Sequence, residues 1–63
     1  MKIYEITGIG KRALKSGTLS GDQQKALQHI KDTHAASDES IDVVADRWVV
    51  RQLEKAGLIK ELK

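Results

Sequence analysis

Arg47, Arg51 and Lys55 recur every four residues and so form a cationic row along one flank of a helix. Guanidinium and ammonium groups one turn apart can meet phosphates or guanine edges in a major groove, which would make residues 47–56 a reading helix. In that arrangement Arg47 and Arg51 are the chief readers, and Lys55 joins Lys11, Arg12 and Lys15 as contacts to the phosphate backbone, provided the first helix lies beside the row. The same spacing has a plainer use. Glu39, Asp42, Asp46 and Glu54 crowd the other flank, so Arg47 or Arg51 can instead pair with an acid on a solvated face, and those acids would repel phosphate.

Other chemistry is poorly provided for. His29 and His34 are five apart, a spacing that does not bring both rings to one metal on a regular helix, and no metal site is expected. Asp32 is near His34, but no serine or cysteine nucleophile completes a catalytic set, so neither enzyme activity nor a cofactor is expected. Gly8-Ile9-Gly10-Lys11 lacks the Walker spacing and the following Ser or Thr of a phosphate loop, and its glycines are read as a turn from strand into helix. Trp48 falls in the middle of an apolar arc and is expected to anchor the core. Its alternative role is a partly exposed mark of a dimer or partner surface. Tyr4 is expected to cover the core rather than to stack on a base.

A chain of 63 residues holds one small domain, here taken as 1–63, and hides only about 60% of the surface its unfolded form exposes. A large buried catalytic pocket is therefore not expected. Without cysteine there are no disulfides, thiolate zinc sites or cysteine nucleophiles, which points away from secreted miniproteins and towards a cytoplasmic location. No run approaches the roughly 18 to 20 apolar residues that span a bilayer, and the polar start lacks the apolar stretch of a signal peptide. The net charge of +2 is unevenly placed: Lys2, Lys11, Arg12 and Lys15 face only Glu5 in residues 1–17, whereas residues 37–63 hold five bases and six acids. That polarity is compatible with a polyanion on one side of the molecule.

The elements that must position these groups follow from pattern. Residues 2–6 place β-formers in a short run and read as a strand. Thr7 offers a cap for a helix over 8–15, with Ile9 and Ala13 or Leu14 inward and Ser16-Gly17 as its stop. Ser20 followed by Gln23 is a capping box with Leu19 as a staple, and it opens a helix to about Thr33 with Ala26, Leu27, Ile30 and then His34 on its apolar side. After a linker over 34–36, Ser37 or Asp38 caps a segment reaching Ala56. As one helix it would turn Ile41, Val44, Ala45, Trp48, Val49, Leu53 and Ala56 to one side, with Val50 just outside. The other reading breaks it near Asp46, although no glycine or proline marks the break. Gly57 ends the helix, residues 58–62 read as a strand, and the evident partner of that strand is the first one.

Tyr4-Glu5-Ile6-Thr7 with Gly10-Lys11-Arg12-Ala13-Leu14, and Val50 with Leu53-Glu54-Lys55-Ala56-Gly57-Leu58-Ile59, resemble two runs common in winged helix-turn-helix proteins. The resemblance implies a mainly α fold with a small β-sheet (α+β): about three helices, paired N- and C-terminal strands, and double-stranded DNA as the partner in transcription regulation. The chain departs from that pattern in a short distance from the second helix to Gly57 and in stopping at Lys63, before a wing hairpin could return. The alternative function on the same scaffold is a protein-interaction adaptor or homodimer that offers Trp48 and Val50 to a partner.

Overall fold

Successive residues of a strand face opposite sides of a sheet. In the computed structural model, which describes residues 2–62, strand β1 (Ile3–Ile6) buries Tyr4 and leaves Ile3 40% exposed. β1 is the central strand of an antiparallel sheet of order β2-β1-β3. On one edge β3 (Ile59–Leu62) pairs Ile3 with Leu62 through to Ile6 with Ile59, so the two end strands lie side by side as predicted. On the other edge β2 (Ala36–Ser37) pairs with Tyr4 and Ile3. This strand occupies part of the expected linker, because two residues are too few to show a period of their own and are ordered by the free edge of β1.

Helix α1 (Gly8–Ser16) begins at Thr7, whose hydroxyl accepts the Gly10 N–H at 3.1 Å, and stops at Gly17 with φ 67°. Its inward side is Gly10, Ala13 and Leu14, at the i, i+3, i+4 spacing. Ile9, expected inward, is 57% exposed because it stands 100° off that side. Gly10 is buried because α1 crosses the end of β1 closely: a Cβ there would run into the Leu58 carbonyl and the Ile6 side chain. At the same corner the Thr7 hydroxyl donates to the Gly57 carbonyl at 2.6 Å, and the Thr7 N–H donates to the Leu58 carbonyl at 3.0 Å.

Helix α2 (Gly21–Thr33) is capped by Ser20, which accepts the Gln23 N–H at 3.4 Å, and buries Ala26, Leu27 and Ile30. The return arm of the capping box is not made. The Gln23 side chain reaches across to Gln52 at 2.9 Å instead. Leu19 packs against the core. His34 does not extend the apolar side, since the chain leaves the helix at that residue with φ 65° and exposes the ring.

Residues 39–56 are not one helix. Helix α3 (Asp38–Asp42), capped by the Ser37 hydroxyl, is followed by a turn in which the Ile41 carbonyl accepts both the Val44 and Ala45 N–H groups at 2.9 Å. Asp46 is extended (ψ 156°) and starts helix α4 (Arg47–Lys55) without a side-chain cap bond, so its backbone conformation makes the break without glycine or proline. The break shifts the phase of everything after it. Val49, Val50 and Leu53 face inward and are buried, whereas Trp48, expected at the core, is 52% exposed. Val50, offered above as a partner surface, is core, and Ala56 is exposed. At the far end Leu58 N–H bonds the Leu53 carbonyl and Gly57 N–H the Glu54 carbonyl, with Gly57 at φ 77°: the Schellman stop foreseen for Gly57.

Four helices and three strands, an α+β arrangement, thus share one core among the described residues. Its largest fully buried side chains are Leu27, Ile30, Ile41, Val49 and Leu53, each worth about 1.5–3 kcal/mol relative to exposure. No helix among the described residues is long and apolar enough to cross a membrane.

Candidate nucleic-acid interface

Helix α4 is held by its inner side and free on its outer one. With Val49, Val50 and Leu53 in the core, the residues left to solvent include Arg47, Trp48, Arg51, Glu54 and Lys55. The predicted cationic row is therefore exposed, but its members are not equivalent. Arg47 Nε lies 3.2 Å from Asp42 Oδ2, and this hydrogen bond, with the carboxylate's charge, raises the already high pKa of the guanidinium. The other ion pair among the described residues is Lys60 with Glu5 at 3.0 Å, across β3 and β1. Arg51 and Lys55 belong to neither pair. The solvated-face reading thus fits Arg47, and the available-cation reading fits Arg51 and Lys55.

Lys11, Arg12 and Lys15 are exposed on α1, which packs on α2 and β1. Lys11 borders a depression with Glu5, Ile6, Lys31 and His34, so its neighbours are the end of α2 and the sheet rather than the α4 row.

The cation that sequence reasoning passed over is Lys2. Together with Tyr4, Asp38, Arg47, Val50 and Arg51 it lines a cleft of about 130 Å³ between β1, α3 and α4. Its alternation with Tyr4 was legible, since both must face one side of the strand. Its approach to Arg47 and Arg51 depends on how α4 packs, which no local pattern reports. Tyr4 is 4% exposed, as expected of a core cover. Burial, and after it the charges of Glu54, Glu61 and Asp38, raises the phenol pKa above its ordinary value of 10.0. Asp38 is partly engaged: its Oδ1 accepts the Glu39 N–H at 2.8 Å, and its own N–H donates to the Lys2 carbonyl at 2.9 Å.

Trp48 Nε1 donates to Asp46 Oδ2 at 3.3 Å, which lays the indole back towards the start of its helix. It shares the α3–α4 region with Val43, 86% exposed, and Val44, 39% exposed.

A serine and a histidine do meet, at a place the sequence reading did not consider. His29 Nε2 lies 2.7 Å from Ser40 Oγ, linking α2 to α3. Among the described residues this pair has no third hydrogen-bonded group to orient the ring, and no cluster of three or more His, Asp or Glu side chains is placed to hold a metal ion. Asp32, the nearest acid in sequence, accepts from Gln28. Gly8 and Gly10 form no cradle either, since the missing Cβ of Gly10 makes room for Leu58. No family model, curated protein or solved structure matches the chain.

Proposed function

We propose that the domain binds double-stranded DNA as a transcription regulator in the cytoplasm, with α4 laid towards the major groove. The observation that carries this reading is the exposure of Arg51 and Lys55 one turn apart, outside both ion pairs, on a helix whose opposite side is fixed in the core. Their charge is not cancelled at contact distance, so it is available to phosphates or base edges. Arg47 extends the row, and the resemblance to winged helix-turn-helix runs agrees with a short helix, a turn and a second helix over 38–55. Lys11, Arg12 and Lys15 would reach backbone only at the periphery.

Duplex binding measured from low to physiological salt tests the proposal. Affinity that falls steeply with salt is the expected result, because each neutralised phosphate releases counterions. Binding that is absent or indifferent to salt contradicts it. That outcome would favour a second reading, a protein-interaction adaptor or homodimer, which rests on Trp48 and Val43 standing exposed beside the same helix.

A further inference from the structure

The cleft between β1, α3 and α4 differs from the rest of the basic surface in having a polar group at its inner wall. Lys2, Arg47 and Arg51 surround it, against a single carboxylate, Asp38, one of whose oxygens already accepts a backbone N–H. Arg47 gives its Nε to Asp42, which leaves the terminal nitrogens of the guanidinium fork to other acceptors. Lys2 and Arg51 are in no ion pair among the described residues. Tyr4, which lines the cleft, is 4% exposed, yet its hydroxyl has no hydrogen-bond partner among the described residues. Nor is that oxygen sealed in the core, since no fully buried side-chain oxygen or nitrogen lacks a partner. On a residue that lines the cleft, such an oxygen is placed to meet an occupant of it.

We propose that this cleft seats one phosphate group, gripped by Lys2, Arg47 and Arg51 and hydrogen-bonded by the Tyr4 hydroxyl. The inference rests on the DNA-binding reading for the source of the group, a backbone phosphodiester. The chemistry itself would suit a free phosphate equally. Size agrees: about 130 Å³ is far below the roughly 300–1,000 Å³ of pockets that enclose drug-sized ligands and is ample for a tetrahedral oxyanion. The Tyr4 phenol is protonated at neutral pH and can donate; the influences on it are mixed, with burial and then Glu54, Glu61 and Asp38 raising its pKa and Arg47 lowering it. Glu54 and Glu61 act on Tyr4 through their charge but do not line the cleft. The consequence is a change of role. Arg47 and Arg51 would position the duplex through its backbone rather than read bases, and this part of the interface would tolerate any sequence.

Tyr4→Phe keeps the buried ring and removes only the hydroxyl. Inorganic phosphate is titrated against wild type and this variant, with sodium chloride at equal ionic strength as the control, and followed by amide chemical shifts. Duplex affinity is measured in parallel, and thermal melting checks that the variant is folded. The proposal expects phosphate, and not chloride, to move the signals of Lys2, Tyr4 and Arg51 in wild type. It also expects the variant to lose about tenfold in duplex affinity, evenly across sequences. Identical phosphate titrations and equal duplex affinities of the two folded proteins would overturn the phosphate seat and leave DNA binding standing. Phosphate binding that depends on the hydroxyl, without any duplex binding, would keep the seat and overturn its assignment to DNA. If neither ligand binds, both fail.

Discussion

Two regions of the molecule put their residues to opposite ends. At the corner where α1 meets the end of α4, the Thr7 hydroxyl is both donor and acceptor, the Gly57 and Leu58 carbonyls are taken up, and Gly10 leaves no space unfilled. On the outer side of α3 and α4, Val43 and Trp48 are exposed and Arg51 and Lys55 have no ion-pair partner among the described residues. The first region spends its hydrogen bonds and contacts on joining the two ends of the chain. The second contributes little to its own stability and keeps its charges available. Substitutions at the corner should therefore cost folding, and substitutions on the outer side should cost binding.

Gly10→Ala is the strongest test of that contrast. Its new Cβ meets a backbone carbonyl that cannot move without shifting β3, so urea denaturation should show a loss of about 3 kcal/mol. Thr7→Val keeps the shape but removes the cap of α1 and the bond to Gly57, a loss of about 1–2 kcal/mol in the same measurement. A smaller cost at either position would mean that the corner yields more easily than its geometry implies.

Between the two regions stands Tyr4, buried like the corner and facing the cationic cleft. Because burial raises its folded pKa, the neutral phenol is favoured in the folded state. Its contribution is fully present below the unfolded value of about 10 and is lost as pH rises through the higher folded value. Denaturation midpoints followed into alkali should hold to about pH 10 and then fall with the slope of one proton, a fall that Tyr4→Phe abolishes. The smallest effect belongs to the outer side: the half-exposed Trp48, changed to Ala, should lose about 1 kcal/mol of stability, where a core tryptophan would cost about 3–5.

That last contrast shows where sequence reasoning stops. Strand pairing, the Ser20 cap and the Gly57 stop were legible because each depends on residues a few places apart, or on the lack of any other partner for an end strand. Trp48 and Val50 were assigned to the wrong sides because one helical phase was carried through Asp46. Four residues of turn re-phase the helix, and only the packed core decides between the two phases. β2 was hidden because its two residues borrow their order from β1. In the candidate site the row over 47–55 could be read from its spacing. The pairing of Arg47 with a nearby acid was also open to that reading, and Asp42, five residues back, is the one it takes; the approach of Lys2 and Tyr4 to the row arises from contacts between elements distant in sequence.

The central claim is that the outer cations of α4 are kept for a polyanion, and the salt dependence of duplex binding by Arg51→Ala/Lys55→Ala against wild type tests it most directly. The account predicts an unchanged melting temperature, weaker binding, and a slope of log affinity against log salt shallower by about 2, one phosphate for each cation removed. A double variant that binds duplex with the wild-type affinity and the wild-type slope would contradict it.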